Sequence, residues 1–510
     1  MRGYETVTTD GADQSAFAWP LEIERSGDAG SQQSAVIIGA GPAGLTAAYE
    51  LGRIGWRHTI TVLEESDQVG GIARTETYKG FRFDIGGHRF FTKVKEVDDL
   101  WHEVCREDFL LRPRLSRIFY RGKFYDYPLR PFNALRTIGA YETIRIALSY
   151  MKWQVRPHPV EENFQQWVMN RFGGRLFQHF FRSYTEKVWG IPCTEIRADW
   201  AEQRIKNLSL KKAVFTAFTG KNDSSSLIEK FHYPRLGPGM MWEKFRDRVV
   251  ERGHDVRMNS PVVRIMRGAR QIDAVEVESD GSRRRLEGSD FISSMPLREL
   301  VLAMDPPAPK RIRDAAERLK YRDFLIVVLI LDDAEPFSDN WIYVHTPDQK
   351  VGRIQNFRAW SPELVPDAGK SSIGMEYFCD RGSELWEMED ADLIALASNE
   401  LAALGLASSA LVVDGTVIRQ EKAYPVYDGE YQAALAEIRE WLDGIENLQV
   451  IGRNGMHRYN NQDHSMLTGM LAARNIMGAN HDLWDVNVER SYHEEFQVAP
   501  KTPETALAAE

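Results

Sequence analysis

Three glycines near the start of the chain have the spacing of a phosphate-binding turn. Gly39, Gly41 and Gly44 form Gly-x-Gly-x-x-Gly directly after the apolar run 35–38, and a helical pattern follows them. The apolar run is typical of a short buried strand. In such a turn the first glycine permits the tight bend, the second lets the backbone approach a pyrophosphate, and the third lets the helix pack closely on the sheet. The N–H groups at the helix N-terminus would stabilise the phosphates.

An acidic residue follows at the distance that a dinucleotide requires. A second apolar run, 60–63, is followed by Glu64, which lies 20 positions after Gly44. A carboxylate at this distance accepts hydrogen bonds from ribose hydroxyls. The alternative is a glycine-rich turn with no ligand, but the order strand, turn, helix, strand and acid favours a dinucleotide site.

Two further glycine pairs precede residues that could serve a bound ring or anion. The first pair ends at Gly71 and is followed by Arg74; the second pair, Gly86 and Gly87, is followed directly by His88 and two aromatic residues. An ordinary surface turn and a structural histidine are the alternatives. The glycines beside His88 favour backbone packed against a planar ring, with the histidine at a functional site.

Residues 183–190 read Ser-Tyr-Thr-Glu-Lys-Val-Trp-Gly. On the residues alone this is a helix end, terminated by Gly190 and Pro192. The segment closely resembles the Gly-Tyr-Thr-x-Lys-Gln-Trp-Gly signature of UDP-galactopyranose mutases. Five positions match and two depart from it: the matches are Tyr184, Thr185, Lys187, Trp189 and Gly190, and the departures are Ser183 and Val188.

Residues 35–91 also resemble the flavin-binding start of a superfamily that includes amine oxidases, protoporphyrinogen oxidases, carotene desaturases and these mutases. The resemblance covers about residues 34–480. It implies an α/β protein with FAD as its cofactor. The expected fold is a Rossmann-like FAD-binding domain with an inserted helical subdomain and an antiparallel-sheet substrate domain.

The resemblance also implies which residues contact the cofactor. The first glycines would bind the pyrophosphate, the acid the adenosine ribose, and the histidine the isoalloxazine. The implied cofactor-binding residues are Gly39, Gly41, Ala43, Gly44, Glu64, Glu65, Gly71, Arg74, Gly86, Gly87, His88, Val263, Gly452, Arg453, Asp463 and Met466.

The catalytic residues implied by the mutase resemblance are His88, Trp189, Arg204, Arg353 and Tyr459. Arg204 is the expected contact of the substrate diphosphate and Arg353 of its second phosphate. Arg358 is an equally placed rival of Arg353, and a solvated surface arginine is a third interpretation.

One position departs from the mutase pattern near the end of the chain. Asn461 stands where the mutases carry an aspartate, which puts a role for a carboxylate there in doubt. Asp463 could replace that carboxylate or could cap the following helix.

The expected domain organisation follows the same resemblance, with a cofactor domain built from three segments. The predicted parts are a disordered tail at 1–33, FAD-binding segments at 34–93, 237–299 and 441–485, a mostly helical substrate subdomain at 94–236, a sheet substrate domain at 300–440, and a C-terminal tail at 486–510.

Composition excludes several classes of function. The net charge of −10 and the pI near 5.8 argue against a nucleic-acid-binding protein. Three widely spaced cysteines show no metal-ligand spacing, so no metal site is expected and a reducing, cytoplasmic location fits. The polar N-terminus lacks the apolar core of a secretory signal. The longest apolar run, 324–331, is too short to span a bilayer, so no transmembrane segment is expected.

Three hypotheses about function follow. The first is a nucleotide-sugar pyranose–furanose mutase that uses reduced FAD as the nucleophile, with NAD(P)H as a candidate electron donor and a nucleoside-diphosphate sugar as the small-molecule substrate. The second is an FAD-dependent oxidoreductase of the amine oxidase or protoporphyrinogen oxidase type, which Asn461 favours slightly. A non-enzymatic flavin-binding regulator ranks last, because it gains nothing from a pocket rich in tryptophan and arginine.

Overall fold

The computed structural model describes residues 33–127, 136–198, 200–201, 230–279 and 281–487. The strands in these ranges are β1 (Ser34–Ile38), β2 (Thr59–Leu63), β3 (Thr75–Tyr78), β4 (Phe81–Asp84), β5 (Phe109–Pro113), β6 (Ser116–Tyr120), β7 (Lys123–Asp126), β8 (Lys230–Pro234), β9 (Asp255–Arg257), β10 (Val262–Arg267), β11 (Ile272–Ser279), β12 (Ser282–Glu287), β13 (Asp290–Ser293), β14 (Met304–Asp305), β15 (Tyr321–Leu331), β16 (Trp341–Val344), β17 (Arg353–Asn356), β18 (Ser371–Cys379), β19 (Val412–Pro425) and β20 (Leu448–Val450).

The longer helices in the same ranges are α1 (Pro42–Arg53), α2 (Lys95–Cys105), α3 (Ala140–Val155), α4 (Phe164–Phe172), α5 (Arg182–Trp189), α6 (Pro238–Glu251), α7 (Leu297–Leu302), α8 (Lys310–Arg318), α9 (Asp390–Ala403), α10 (Tyr431–Leu442) and α11 (Gln462–Ile476).

A five-stranded parallel sheet forms the first layer, in the order β20-β13-β1-β2-β9. The apolar residues of β1 and β2 are buried, as expected for a parallel sheet covered on both faces. Helices α1 and α11 pack against each other at close range, because a Cβ on Gly469 would lie 2.3 Å from the carbonyl oxygen of Ala43. The sheet confirms the Rossmann-like fold and draws its strands from three separate stretches of the chain.

A seven-stranded sheet forms the second layer, in the order β19-β15-β18-β17-β16-β6-β7. Its neighbouring strands are antiparallel except for the parallel pair β16 and β6. The three strongest strand predictions, 324–331, 341–345 and 373–378, are confirmed as β15, β16 and β18. The antiparallel-sheet part of the predicted fold is therefore present.

The segment 94–236 contains more strand than the sequence pattern indicated. Its helices include α2, α3, α4 and α5, but β6 and β7 extend the seven-stranded sheet and β5 pairs with β8. These strands are only four or five residues long, and both the pairing of β6 with β16 and that of β5 with β8 join segments distant in sequence. Their pairing is therefore set by tertiary contacts, which local periodicity does not report.

Within the described part of the chain, no helix combines the length and the apolar character that crossing a bilayer requires. The three cysteines, Cys105, Cys193 and Cys379, are buried free thiols. Burial raises the pKa of the Cys105 thiol to about 12, so this sulfur stays protonated and packs as a small apolar group.

Candidate active site

A large cavity separates the parallel sheet from the seven-stranded sheet. Its volume is about 1710 Å³, and its lining runs from the turn after β1 to the start of α11 and on to the aromatic residues of α5. Sites for a single drug-sized ligand have volumes of roughly 300–1,000 Å³. The cavity therefore has room for an extended dinucleotide and a second molecule beside it.

The glycine turn forms one end of the cavity. Gly39 has a φ of +97°, which favours glycine, and a Cβ on Gly44 would lie 1.9 Å from the carbonyl oxygen of Gly39. A Cβ on Gly41 would approach Gly71 at 3.8 Å. Only glycine at position 44 lets α1 start this close to the turn. The N-terminus of α1 borders the cavity, as a pyrophosphate site requires.

Glu64 lies at the end of β2 and is held in place by backbone donors. One carboxylate oxygen accepts a hydrogen bond from the backbone N–H of Ala40 at 2.7 Å, and the other accepts from the N–H and hydroxyl of Ser66 at 3.1 and 2.8 Å. The carboxylate lines the cavity. Burial, followed by the charge of Glu64, raises the pKa of the adjacent Glu65. This end of the cavity can accept hydrogen bonds from a ribose.

His88 lies in the middle of the cavity wall, after the close passage at Gly86 and Gly87. A Cβ on Gly87 would lie 3.1 Å from the side-chain nitrogen of Gln355, so the backbone passes β17 closely. Burial, and then the positive charge of Arg453, lowers the pKa of His88 to about 3. The imidazole is therefore neutral at physiological pH and can donate from one nitrogen and accept at the other.

Arg453 follows β20 and lies beside two stacked tyrosines. Its guanidinium carbon lies 4.7 Å from the ring centre of Tyr459 and 5.6 Å from that of Tyr424, and these two rings stack at 5.5 Å. Its Nε donates to the carbonyl of Asn460 at 2.8 Å. The stacking places a cation and two phenol groups on the same wall of the cavity.

Arg353, on β17, is a second cation on this wall. Its Nε contacts a carboxylate oxygen of Glu376 at 2.5 Å, and its Nη2 donates to the Tyr424 hydroxyl at 2.9 Å. Glu376 is fully buried on β18 and also accepts from Gln355. Burial opposes the charge of Arg353, but the charge of Glu376 outweighs it and the pKa of the guanidinium is raised. Arg353 therefore stays charged.

Trp189 ends α5 and closes the aromatic wall. Its indole packs edge-on against Trp200 at 5.1 Å and lies 6.2 and 6.3 Å from Tyr459 and Tyr424. The side chain is almost completely buried while lining the cavity. The indole therefore shields this part of the cavity from solvent.

Tyr184 and Lys187 lie on the same helix as Trp189 and have different roles there. Tyr184 lines the cavity and stacks on His345 at 4.5 Å, and Lys187 donates to the carbonyls of Val344, Thr346 and Val351 at 2.9 to 3.1 Å. Burial lowers the pKa of Lys187 to about 8. The lysine of the signature thus fastens α5 to the loop after β16, while the tyrosine faces the cavity.

The structure brings most of the predicted site residues together. The residues that line the cavity are Gly39, Gly41, Ala43, Glu64, Glu65, Gly71, Arg74, Gly86, Gly87, His88, Trp189, Val263, Arg353, Gly452, Arg453, Tyr459 and Asp463. Gly44 does not line it and acts through helix packing. The Met466 side chain lies in the core, where its sulfur accepts a hydrogen bond from Trp101. Arg204 lies outside the described residues.

The structure also separates the alternatives at the two uncertain positions. Arg353 lines the cavity and is not a solvated surface residue, whereas its rival Arg358 donates to the carbonyl of Lys370 at 3.2 Å, away from the cavity lining. Asn461 is the N-cap residue of α11, and Asp463 lies in the first helical turn, so capping by Asp463 is wrong. Asp463 retains its place on the cavity wall.

Sequence reasoning missed Tyr424 and Glu376. Tyr424 directly precedes Pro425, which ends β19, and nothing in the local sequence distinguishes it from a core tyrosine. Glu376 lies in β18, whose nine residues are all buried, and no local pattern marks it. It was detectable only through its cross-strand pairing with Arg353.

The comparisons with known proteins agree with this architecture. The family model described as flavin containing amine oxidoreductase matches residues 42–477. Phytoene desaturase (neurosporene-forming) of Cereibacter sphaeroides is 34% identical over 122 residues, which is 24% of this chain and 21% of the relative. L-amino-acid oxidase of Crotalus adamanteus is 34% identical over 127 residues, which is 22% of this chain and 24% of the relative. The alignments thus span about a quarter or less of these curated relatives.

A solved structure shows the same fold over nearly the whole chain. Reduced UDP-galactopyranose mutase superposes with a TM-score of 0.79 at 21% identity, covering 90% of this chain and 99% of that one. Because the family model covers most of the chain and the cavity holds the glycine turn that the family's flavin requires, the chain belongs to the flavin-containing amine oxidoreductase family.

Proposed function

We propose that this protein is an FAD-dependent enzyme that interconverts the pyranose and furanose forms of a nucleotide-linked sugar. The proposal rests on one observation above all. Two half-buried cations, Arg353 and Arg453, line the same cavity as three tyrosines and as the glycine turn. A diphosphate leaving group needs such cationic anchors.

The residues at the other end of the cavity fit FAD, the cofactor that the family implies. A Cβ on Gly39 would clash with Ser294 and one on Gly44 with the Gly39 carbonyl oxygen, so only glycine permits this turn, and the N-terminus of α1 offers donors for a pyrophosphate. Glu64 is held at the ribose position. When bound in its reduced form, the flavin would supply a nucleophilic ring nitrogen for displacement at the anomeric carbon.

The chain's own groups would bind and orient the substrate. The guanidinium of Arg353 is planar and charged, and the Tyr424 hydroxyl that accepts from it keeps its own proton to donate to a phosphate oxygen. Trp189 and Tyr459 would exclude water from the sugar, because both rings border the cavity. His88 would enter the reaction as a neutral imidazole, since its pKa is lowered to about 3.

The mutase reaction is also supported by the segment at Tyr184 to Gly190. The side chains of Tyr184 and Trp189 face the cavity, and Lys187 and Gly190 hold the helix that carries them. The matching residues of this segment therefore either line the cavity or position the helix, which is what we expect if the cavity has the shape of a mutase pocket.

The second candidate is an FAD-dependent oxidoreductase that removes hydride from its substrate. Two observations favour it: the curated relatives are a desaturase and an amino-acid oxidase, and Asn461 removes the carboxylate of the mutase pattern. Of the two reactions, only the oxidation would need a final electron acceptor.

Turnover in each redox state of the flavin tests the proposal. The purified protein is incubated anaerobically with UDP-galactopyranose and other nucleotide sugars, once oxidised and once reduced with dithionite, and the products are separated by chromatography. A mutase converts sugar only when reduced and consumes no stoichiometric electrons. Substrate that bleaches the oxidised flavin would instead establish the oxidoreductase.

A matched pair of arginine variants tests the anchor. Arg353→Ala should weaken nucleotide-sugar binding by roughly 100-fold or more, as expected for a lost charge-assisted contact of about 3 kcal/mol, with FAD retained. Arg358→Ala removes an arginine outside the cavity and should have no effect. Equal loss of FAD in Arg353→Ala would contradict the assignment.

A further inference from the structure

Helix α3 exposes an apolar stripe that no described part of the chain covers. Its five members, spaced by three or four residues, are Tyr141, Ile144, Leu148, Met151 and Val155, and each is between 53% and 78% exposed. At 100° per residue they occupy about 80° of the helix circumference. Single exposed apolar residues are common, but an aligned row of five marks an interaction surface.

Basic residues lie along one side of this stripe. Arg145 and Lys152 lie within about 40° of the stripe on the helix surface, Arg156 directly follows the last residue of the helix, and all three are exposed. The single acid of the helix, Glu142, is mostly buried; it pairs with Arg175 and His179 and also lies 3.5 Å from Arg145. The outer face of α3 is therefore apolar and cationic, although the chain as a whole carries a net charge of −10.

We propose that the outer face of α3 docks on an anionic lipid surface. An amphipathic helix with apolar residues flanked by Lys and Arg lies in the plane of the membrane interface, with the apolar side chains among the acyl chains and the cations at the headgroups. Sixteen residues are enough for this role and too few to cross the bilayer.

A second copy of the chain fits this face less well. Two copies of α3 packed stripe to stripe would bring their arginines and lysines near each other, and the single acid of the helix, Glu142, is already shared among Arg145, Arg175 and His179. Anionic headgroups supply the missing negative charge. The charge pattern therefore favours a lipid surface over self-association.

The position of α3 gives the docking a consequence for the cavity. Thr143, Ile146 and Ala147, on and beside the inner face of the same helix, line the cavity that holds the proposed active site. A docked α3 would therefore have the lipid on its outer face and the cavity on its inner face. The active site would then lie next to the membrane surface. The docking itself depends only on the outer face and not on the identity of the substrate.

Vesicle flotation tests the proposal on the full-length holoprotein. Phosphatidylcholine vesicles with and without phosphatidylserine are compared at low and high salt. The protein should bind the anionic vesicles and lose this binding at high salt, because exposed charges are screened. The variant Arg145→Gln, Lys152→Gln and Arg156→Gln should bind about 100-fold more weakly, as expected for three interfacial cations.

A stripe variant and a matched control complete the design. Ile144→Gln, Leu148→Gln and Met151→Gln should reduce binding at least about tenfold. Leu111→Gln, Val250→Gln and Val413→Gln change exposed apolar residues elsewhere and should leave binding unchanged.

Circular dichroism and flavin absorbance show whether each variant is folded. If the stripe variant does not fold, the vesicle binding of the cation variant alone tests the proposal. The proposal is overturned if the wild-type protein ignores anionic vesicles, or if neither the cation variant nor a folded stripe variant loses binding. It is also overturned if light scattering finds a dimer that the stripe variant dissociates, because a second copy then covers the stripe.

Discussion

The carboxylate of Glu376 sets the charge balance of the proposed diphosphate site, and Glu376→Gln removes it with little change in shape. In the wild-type protein Glu376 is fully buried behind Arg353, with 2.5 Å between the paired atoms. Breaking a buried ion pair by removing one partner costs about 3–5 kcal/mol, because the other charge loses its compensation. We expect the ligand-free variant to be less stable by about 3 kcal/mol, since glutamine still accepts one hydrogen bond.

The same substitution should strengthen diphosphate binding. A phosphate bound on the far side of the Arg353 guanidinium would lie about 6 Å from the Glu376 carboxylate, and two unit charges at this distance repel by about 2.8 kcal/mol at an effective dielectric constant of 20. Glutamine removes this repulsion. The affinity for UDP should therefore rise by up to about 100-fold while the ligand-free protein becomes less stable.

Calorimetric titration with UDP and urea unfolding measure the two effects separately. Glu400→Gln is the matched control, because Glu400 is also buried but accepts hydrogen bonds from Val351 and Tyr377 outside the cavity lining. This control should lose stability without gaining affinity for UDP. If Glu376→Gln binds UDP no better than the wild-type protein, Arg353 is not the diphosphate anchor and the reasoning is refuted.

Three further predictions concern FAD binding at the glycine turn and the pH dependence of folding stability. Gly44→Ala should abolish FAD binding, since its Cβ would lie 1.9 Å from a backbone oxygen, whereas Gly429→Ala meets nothing within 4 Å; the flavin absorbance of the purified variants decides. The pKa of His88 is lowered from 6.5 to about 3, so the folded state resists protonation and loses up to about 5 kcal/mol of stability as pH falls across this range. Urea unfolding of His88→Gln should show a flatter acid limb, and an unchanged limb would contradict the prediction. Burial raises the pKa of Asp84 from 3.8 to about 7 despite the hydrogen bond from Tyr233, so stability falls as pH rises through this range. Asp84→Asn should therefore be more stable than the wild-type protein at pH 8, by up to about 4 kcal/mol, and equal stability at that pH would contradict the assignment.

The cofactor end of the cavity was predictable because its chemistry depends on local backbone. Gly39, Gly41 and Gly44 fall within six residues, and Glu64 follows the next strand at a fixed distance. A turn of this kind is determined by neighbouring residues, so its sequence pattern contains most of the structural information. The five-stranded parallel sheet follows from the same βαβ pattern.

The substrate end was only partly predictable because its residues come from separate elements. Arg353, Tyr424, Arg453 and Trp189 lie on β17, on β19, after β20 and on α5. Resemblance identified three of them, but Tyr424 has no local pattern that sets it apart from a core tyrosine. Short strands such as β6 were missed for the same reason, since a distant partner determines their pairing.

The register of β17 and β18 connects the stability of the sheet to the charge of the site. Arg353 and Glu376 are directly paired across these antiparallel strands. A shift of one residue would turn Arg353 away from the cavity and Glu376 to the other face of the sheet. The ion pair therefore both selects the register and leaves Arg353 facing the cavity. The carboxylate also weakens the attraction of Arg353 for phosphate, so the protein holds this arginine in place at the expense of affinity. The lower affinity should allow the nucleotide-sugar product to dissociate.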